Sequence, residues 1–311
     1  MDAYMGIDTS CYTTSLAMVD REGTLIADER IMLDVNMGDR GLRQSEGVFQ
    51  HIKNTGVVFD RIRPLVKSYS IAAVCASAQP RPVEGSYMPV FSVGENMARA
   101  LSSALGIPYL MTSHQENHIA AGVWSAGGPK AERFLVLHLS GGTTELLAVS
   151  DSGNGYRIEI IGGTTDISAG QFIDRVGVSL GLPFPCGPHL EELAGTAGKL
   201  PVNNRIRYWT DGFRISYSGP ETMAKRMLEE GIDKPLVALS VVDCISRSLG
   251  DILARACESV GVTDVLLVGG VSSNKHLRMY LSDRLRGNLF FPRPEYCKDN
   301  AVGNALLAKG A

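Results

Sequence analysis

Apolar and polar residues alternate over the first part of the chain in the manner of half-buried strands. Residues 4–20 (YMGIDTSCYTTSLAMVD) predict a strand, a turn of small hydroxyl residues and a second strand, and residues 24–33 predict a third strand. Apolar residues then recur at helical spacing over about 43–67, and an unbroken apolar run at 71–77 predicts a buried strand. This order of elements is typical of a mixed α/β structure.

The second half of the chain repeats this order. Residues 134–153 (FLVLHLSGGTTELLAVSDSG) again predict a strand, a small-residue turn and a strand, and residues 156–164 predict the next strand. Helical spacing dominates from 168 to 260. An apolar strand is predicted at 264–270, and a last helix is predicted from Asn300 onward.

Such a repeat indicates an α/β fold of two related lobes with a cleft between them. The composition of residues 127–132 (GGPKAE) is typical of a linker. We therefore expect an N-terminal lobe over residues 1–131 and a C-terminal lobe over residues 132–311, with the last helix packing back toward the cleft.

Composition agrees with a two-lobed globular chain. With 311 residues, of which 44% are hydrophobic, the chain is long enough to bury two substantial cores. It has no signal-like start and no apolar stretch approaching the roughly 20 residues that span a bilayer, so we expect a cytoplasmic protein with no membrane contact. The six cysteines lack C-x-x-C spacing, which favours reduced thiols over a disulfide framework or a zinc ribbon.

The net charge of −3 provides no general attraction to nucleic acid. An RNA partner would need a local basic patch or the help of another subunit. Two groups of basic residues are candidates for such a patch, although each is also explained as an ordinary solvated surface. They are Arg205, Arg207 and Arg214 in one loop region, and Lys275, Arg278, Arg284 and Arg286 on a late helix.

Three turns of small residues are candidates for nucleotide binding. Residues 8–15 (DTSCYTTS) and 139–146 (LSGGTTEL) each place hydroxyl groups and backbone N–H groups between two strands, where they can face a phosphate. In residues 265–278 (VLLVGGVSSNKHLR) an apolar strand ends in Gly269 and Gly270, which leave room for a flat ring or a ribose. Alone, each segment is also explained by a plain hairpin or by a strand-to-helix turn.

His114 and His118 lie four residues apart in TSHQENHIAA, so one face of a helix would carry both imidazoles. The spacing fits two ligands of one metal ion, and it also fits two ordinary surface histidines. Gln115 stands where the metalloprotease signature H-E-x-x-H has its glutamate, which argues against peptide hydrolysis.

Several motifs together resemble the TsaD/Kae/Gcp family, the tRNA threonylcarbamoyladenosine synthases once labelled O-sialoglycoprotein endopeptidases. They are GIDTSC, SHQENHIAAG, LSGGTTEL, AGQFIDRVGVSLGLPFPCGP, FRISYSG, LVGGVSSNKHLR and RPEYCKDNAVGNALL, in this order along nearly the whole chain. The resemblance implies the bilobal actin-like ATPase fold of sugar kinases and heat-shock chaperone ATPases, with a nucleotide in the cleft.

The resemblance also implies a site. The metal of the family, iron or zinc, would be held by His114, His118 and Asp299, the aspartate of CKDN. No separate catalytic side chain is implied, because the acyl-adenylate donor carries its own leaving group. This adenylate, or ATP or ADP, would be held by residues of the second lobe, which are Ser140, Gly141, Gly142, Thr143, Thr144, Asp174, Gly187 and Asn274.

The family reaction transfers a threonylcarbamoyl group from threonylcarbamoyl-AMP to the N6 amine of the adenosine next to the tRNA anticodon. The resemblance therefore implies an acyltransferase with tRNA as a partner. It also implies a protein partner, such as a smaller actin-like homologue that lacks the metal site.

The chain departs from the family pattern at several positions. Tyr12 and Thr13 stand where the first loop of the family has an acidic pair, and Thr143, Gln171 and Glu221 replace a histidine, a glutamate and a lysine. Two alternatives therefore stay open. One is a paralog with the same nucleotide and metal site that transfers another carbamoyl group or a phosphoryl group, and the other is a non-catalytic nucleotide-binding partner of a family complex.

Overall fold

The structure is a computed structural model, and it describes residues 1–10, 12–35, 42–153 and 155–311. The strands are β1 (Asp2–Asp8), β2 (Thr13–Asp20), β3 (Leu25–Met32), β4 (Ser70–Gln79), β5 (Tyr109–Ser113), β6 (Arg133–Leu139), β7 (Thr144–Asp151), β8 (Tyr156–Thr164), β9 (Trp209–Asp211), β10 (Arg214–Ser216), β11 (Asp264–Val268) and β12 (Asn288–Phe290). The helices are α1 (Gln44–Val66), α2 (Phe91–Leu105), α3 (His114–Ala126), α4 (Ala169–Ser179), α5 (Gly187–Gly195), α6 (Ser218–Glu229), α7 (Lys234–Val260), α8 (Lys275–Arg284), α9 (Pro294–Cys297) and α10 (Val302–Leu307).

Packing divides the chain into two compact units. The first unit comprises Met1–Gly127, Asp151–Arg157 and Lys298–Ala311, and the second comprises Gly128–Ser150 and Ile158–Cys297. The end of the chain, including α10, therefore packs in the first unit. A division into lobes at residues 131/132 stays a prediction.

Five strands form the sheet of the first unit, in the order β3-β2-β1-β4-β5. β1 is antiparallel to β2 and parallel to β4, and β4 is parallel to β5. One face of this sheet forms a core with α1 and α2, in which Ile7 and Leu16 pack with Val58. The opposite face meets α10 closely, because a Cβ on Gly6 would lie 2.2 Å from the carbonyl oxygen of Ala301.

The sheet of the second unit has the order β12-β11-β6-β7-β8-β10-β9. β6 is antiparallel to β7 and parallel to β11, and β11 is parallel to β12. The run β8-β7-β6-β11-β12 therefore repeats the arrangement of the first sheet, which confirms the predicted duplication of an α/β architecture. A large core packs this sheet against helices, with the rings of Phe172 and Tyr217 stacked at a centroid distance of 5.5 Å.

The predicted helical region from 168 to 260 also contains a hairpin, which the sequence pattern does not reveal. β9 and β10 pair antiparallel, and β10 adds to β8 at the edge of the second sheet. Each of these strands has three residues, which is too short for an alternation of apolar and polar positions to be recognised.

Two further sequence expectations bear on the fold. In the part of the chain that the structure describes, no helix is long and apolar enough to cross a membrane. Five cysteines are free thiols, as their scattered spacing predicts, and Cys11 lies outside the described residues. The five are Cys75, Cys186, Cys244, Cys257 and Cys297.

Candidate functional site

Helix α3 brings the two histidines together at its buried start. Ser113 caps the helix: its hydroxyl accepts a hydrogen bond from the Glu116 amide, and the Glu116 carboxylate accepts one from the Ser113 amide at 2.8 Å. His114 and His118 follow one turn apart, with 9% and 1% of their surface exposed. Because the Glu116 carboxylate is engaged in the cap, it is not placed as the base of a peptidase.

Asp299 comes to the same point from the end of the chain. It lies just before α10, which packs so closely on α3 that Gly303 touches the backbone of Asn117. The side-chain amide of Asn117 donates to the carbonyl oxygen of Asn300, and the Asn304 backbone N–H donates to Asn117 Oδ1 at 2.9 Å. These buried bonds fix the turn that carries Asp299, because leaving such a group unsatisfied costs about 1–3 kcal/mol.

The three predicted metal ligands lie together in a triangle. The Nε2 atoms of His114 and His118 are 3.1 Å apart, and Asp299 Oδ1 is 3.6 Å from the first and 3.4 Å from the second. A metal with bonds of about 2.0–2.1 Å and tetrahedral angles separates its ligand atoms by about 3.3 Å. The observed spacings fit that value, and two imidazoles with one carboxylate are a donor set that suits iron or zinc.

Asp8 supports this triangle from the end of β1. Its carboxylate is fully buried, its Oδ1 accepts a hydrogen bond from His114 Nδ1 at 3.2 Å, and the Ser10 hydroxyl donates to its Oδ2. A proton held on Nδ1 leaves the lone pair of His114 Nε2 for the triangle. In the sequence, Asp8 is only the first residue of the predicted turn at residues 8–15, and its contact with His114 emerges from the fold.

The charges of these side chains favour a bound cation. Burial alone would raise the pKa of Asp8, but the charge and hydrogen bond of His114 lower it below its ordinary value. Burial would lower the pKa of His114, but the carboxylates of Asp8 and Asp299 raise it above its ordinary value. Burial and the neighbouring His114 lower the pKa of His118. One positive charge therefore sits favourably between the two carboxylates.

A third buried imidazole, that of His51 on α1, interacts electrostatically with the carboxylates of Asp8 and Asp299. His51 is completely buried, its Nδ1 lies 2.8 Å from Thr14 Oγ1, and Asn54 Nδ2 donates to that oxygen at 3.4 Å. Among the described residues, Nε2 of His51 has no hydrogen-bond partner. Burial lowers the pKa of His51 to about 4, although Asp8 and Asp299 oppose the shift. The ring is therefore neutral near pH 7.

Replacing His51 by glutamine is expected to reduce the acid sensitivity of the fold. The pKa of His51 is about 4 in the folded chain and about 6.5 in the unfolded chain, so stability is fully present above pH 6.5 and falls as the pH drops toward 4. Between pH 7 and pH 4.5, protonation of His51 in the unfolded chain should lower the free energy of unfolding by about 2 kcal/mol, which urea denaturation can measure. The control variant His189→Gln, at an exposed histidine, should lose as much free energy of unfolding over this pH range as the wild type does. An unchanged loss in His51→Gln would contradict this assignment.

The predicted nucleotide-binding residues lie in the second unit. Residues 140–143 form the tight turn between β6 and β7. The Ser140 amide donates to the Thr143 carbonyl oxygen at 2.9 Å, and the Thr143 amide donates to Ser140 Oγ at 3.0 Å. A Cβ on Gly141 or Gly142 would meet nothing within 4 Å, so the outer side of this turn is open.

The start of α4 closes on this turn. The Thr144 hydroxyl accepts a hydrogen bond from the Ala169 amide at 2.8 Å, and Gly170 lies so close that a Cβ there would be 2.4 Å from the Ser140 carbonyl oxygen. Thr144 therefore joins the helix to the strand. The first backbone amides of α4 lie next to the turn, in a position that favours an anion.

Asp174 and Gly187 lie side by side. Asp174 Oδ1 accepts a hydrogen bond from the Cys186 amide at 2.8 Å, and Gly187 is the next residue and the first of α5. Burial raises the pKa of Asp174 above its ordinary value, although this amide opposes the shift. A Cβ on Gly187 would meet nothing within 4 Å, so there is room for a ligand beside it.

Asn274 caps α8, since its Oδ1 accepts a backbone N–H at 3.0 Å. The next amide, of Lys275, donates to Glu191 on α5 at 2.9 Å. The preceding turn requires glycine at Gly269, because φ is 88° and a Cβ would lie 2.2 Å from the carbonyl oxygen of Leu139. Of the three predicted turns, those at residues 139–146 and 265–278 therefore lie in the second unit, whereas β1 and β2, which flank the turn at residues 8–15, lie in the first. Binding of a nucleotide by them stays a prediction.

Two departures from the family pattern have local structural roles. Gln171 completes a capping box with Ser168 at the start of α4, a role that glutamine and glutamate share. Glu221 is 7% exposed and pairs with Arg175 at 3.1 Å and Lys225 at 2.5 Å. Gln171 is accounted for by the start of its own helix, and Glu221 by ion pairs within α6 and with α4.

Solved structures with the same fold are distant in sequence. Component A of (R)-2-hydroxyglutaryl-CoA dehydratase from Acidaminococcus fermentans matches with 15% identity and a TM-score of 0.58, over 99% of this chain and 98% of that one. A ROK family glucokinase from Streptomyces griseus, in complex with glucose and AMPPNP, matches with 13% identity and a TM-score of 0.54, over 99% and 100%. Full-length HypF in the phosphate- and nucleotide-bound form matches with 13% identity and a TM-score of 0.65, over 98% of this chain and 46% of HypF. The predicted actin-like ATPase fold is therefore confirmed.

The sequence also matches one protein family over most of its length. Residues 50–306 match TsaD, tRNA N6-adenosine threonylcarbamoyltransferase. The matched range contains both histidines, Asp299 and all the predicted nucleotide-binding residues, whereas Tyr12 and Thr13 precede it. The chain belongs to the TsaD family, as its motifs predict.

Proposed function

We propose that this chain is an acyltransferase that moves the threonylcarbamoyl group from threonylcarbamoyl-AMP to the N6 amine of the adenosine next to the anticodon in tRNA. In this proposal, one iron or zinc ion is bound by His114, His118 and Asp299. The observation that carries the proposal is the spacing of 3.1 Å, 3.6 Å and 3.4 Å among their ligand atoms, in a chain of the TsaD family.

The residues around the metal position would hold it and leave one side for the substrate. When bound, the metal supplies a Lewis acid that polarises the carbamoyl carbonyl or holds the threonyl carboxylate. Asp8 keeps the proton of His114 on Nδ1, so that His114 presents Nε2 beside the Nε2 atom of His118. The His118 side chain is 1% exposed and that of Asp299 is 23% exposed, so the substrate would approach from the side of Asp299.

The transfer needs no side-chain nucleophile. The lone pair of the N6 amine attacks the carbamoyl carbon and forms a C–N bond. The bond from that carbon to the phosphate oxygen breaks, AMP leaves with its electron pair, and the amine loses one proton to water. The contribution of the protein is therefore the alignment of donor and amine.

The AMP part of the donor is assigned to the turns of the second unit. The open turn at residues 140–143 offers backbone amides to the phosphate, Asp174 accepts hydrogen bonds from ribose hydroxyls, and Gly187 leaves room for the base. Asn274 caps α8 and so stabilises the turn within residues 265–278. The same turns would accept ATP or ADP. We further propose the cytoplasm as the compartment and a smaller actin-like homologue as the protein partner.

A second candidate function is favoured by Tyr12 and Thr13, which replace the acidic pair of the family's first loop. A paralog with the same metal and nucleotide site would transfer another carbamoyl group, or a phosphoryl group, to a different acceptor. A non-catalytic family partner would bind the nucleotide and transfer nothing.

The test is transfer by the purified, metal-loaded chain. It would be incubated with threonylcarbamoyl-AMP and an unmodified tRNA transcript, with and without a family partner, and the digested nucleosides would be analysed by mass spectrometry. Threonylcarbamoyladenosine is expected, and a transcript with guanosine in place of the target adenosine should give none. Nucleotide and metal binding without product, with or without the partner, would contradict the proposal and favour the second candidate.

A further inference from the structure

A basic groove lies in the second unit, and none of the residues assigned above to metal or nucleotide lines it. It encloses about 450 Å³ between α6 and residues 202–207, of which Val202–Asn204 form a single 3-10 turn. Its lining combines three arginines with uncharged polar and apolar side chains, and no acid is among the described residues that line it. The lining residues are Val202, Asn203, Arg205, Arg207, Gly219, Thr222, Met223 and Arg226.

One wall of the groove is a single face of α6. Gly219, Thr222, Met223 and Arg226 have the i, i+3, i+4, i+7 spacing that places side chains along one helix face. A Cβ on Gly219 would meet nothing within 4 Å, so this wall is shallow at one end. Arg226, in the last turn, gives the other end a positive charge.

The second wall is fixed by one buried side chain. Ile206 is completely buried, and its carbonyl oxygen accepts a hydrogen bond from Arg247 at 2.8 Å. Arg205 has an extended backbone, with φ −73° and ψ 124°. Because residues two apart on an extended chain point the same way, Arg205 and Arg207 both project to the side opposite Ile206.

The guanidinium groups of the three groove arginines form no ion pair and no hydrogen bond with the described part of the chain. Neighbouring cations are paired: Arg175 and Lys225 with Glu221, and Arg247 with Asp243. The carboxylates of Glu221 and Asp243 are thus engaged with cations outside the groove. Three unpaired guanidinium groups on one concave surface create a positive potential that attracts an anion.

We propose that this groove binds the sugar–phosphate backbone of RNA. The planar fork of a guanidinium group matches two phosphate oxygens, and the apolar side chains of Val202 and Met223 suit the sugar between phosphates. The whole chain carries a net charge of −3, so an RNA chain would be attracted by this patch and not by the surface in general. The choice of tRNA as the natural RNA rests on the proposed function.

The test is the salt dependence of RNA binding, measured by fluorescence anisotropy with a labelled, unmodified tRNA transcript and no donor. Each phosphate contact contributes about 0.7–0.9 to the slope of log K against log salt concentration. The triple variant Arg205→Gln, Arg207→Gln, Arg226→Gln is expected to lower this slope by about 2–3 and to weaken binding about tenfold or more at moderate salt. Circular dichroism melting would verify that the variant is folded.

The matched control removes the same charge from the first unit. Arg61, Arg63 and Arg99 are exposed arginines, each paired with an acid, and replacing all three by glutamine should leave the slope close to that of the wild type. An equal loss in both triple variants would show a general charge effect and would overturn the proposal. Binding of RNA by the groove variant as tight as by the wild type would also overturn it. So would displacement of the labelled RNA by poly-glutamate as effectively as by unlabelled RNA, since that result would identify an acidic protein segment as the partner.

The two proposals fail separately. A chain that binds RNA through the groove but yields no threonylcarbamoyladenosine contradicts the proposed function and leaves the groove assignment intact. A groove variant that keeps wild-type RNA binding, in a chain that does transfer the group, contradicts the groove assignment alone.

Discussion

Replacing His118 by alanine is expected to abolish tight metal binding by this chain and, with it, the transfer reaction. The Nε2 atom of His118 is one corner of the ligand triangle, and its side chain is almost fully buried, so no other group replaces it. Changes to groups that only support metal ligands weaken metal binding about 10–100-fold, so loss of a ligand should weaken it more than about 100-fold. Metal content after dialysis, measured by plasma mass spectrometry, checks this directly.

The metal should also stabilise the fold. At a free metal concentration of about 100 times Kd, binding raises the free energy of unfolding by about 2.7 kcal/mol. The wild type and the exposed control His189→Ala are expected to show this rise in Tm on adding metal, and His118→Ala is not. If His118→Ala kept its metal and its metal-dependent rise in Tm, the assigned triangle would be wrong even in an active chain.

The part of this site that can be read from the sequence is the part that lies within one element. The spacing of His114 and His118, and the capping pair of Ser113 and Glu116, are local patterns that the helix preserves. Asp299 is different, because nothing local indicates that the turn before α10 packs against α3. Only the resemblance to a family supplied that ligand, and the structure then placed it 3.4 Å from His118 Nε2.

The groups that support the site have no sequence signal of their own. Asn117 and Asn304 are completely buried polar residues, and their role depends on a contact between two helices distant in the chain. His51 lies on α1, where helical spacing predicts an ordinary amphipathic helix. A buried polar residue becomes recognisable only when its partners are known, since burial and hydrogen bonding are properties of the fold.

The basic patches show the same limit. Arg205 and Arg207 were identifiable from their proximity in sequence, whereas Arg226 joins them only because α6 packs beside their segment. Conversely, Arg278 belongs to the other predicted patch but has a structural role, since its guanidinium donates to the carbonyl oxygens of Ser272 and Pro292. Charge clusters in a sequence therefore overestimate the cations available to a ligand at some positions and underestimate them at others.

Replacing Gly303 by alanine is expected to damage both the fold of the first unit and its metal site. A Cβ on Gly303 would lie 1.9 Å from the carbonyl oxygen of Asn117, and a backbone atom cannot move aside as a flexible side chain does. Overpacking of this kind costs about 1–3 kcal/mol, and we expect the upper end of that range in urea denaturation. To relieve the contact, α10 must separate from α3, which would stretch the 2.9 Å bond from the Asn304 amide to Asn117 Oδ1.

The matched control is the same change in an open position. Gly56 lies in α1, and a Cβ there would meet nothing within 4 Å, so Gly56→Ala should stabilise the chain by about 0.5–1 kcal/mol through its helix propensity. Gly303→Ala should in addition weaken metal binding, because the turn with Asp299 moves with α10. A Gly303→Ala chain that is as stable as the wild type and binds metal equally well would mean that α10 does not hold Asp299 against α3. Loss of stability with unchanged metal affinity would mean that the helix contact supports the fold, while the ligand triangle is held by the turn itself.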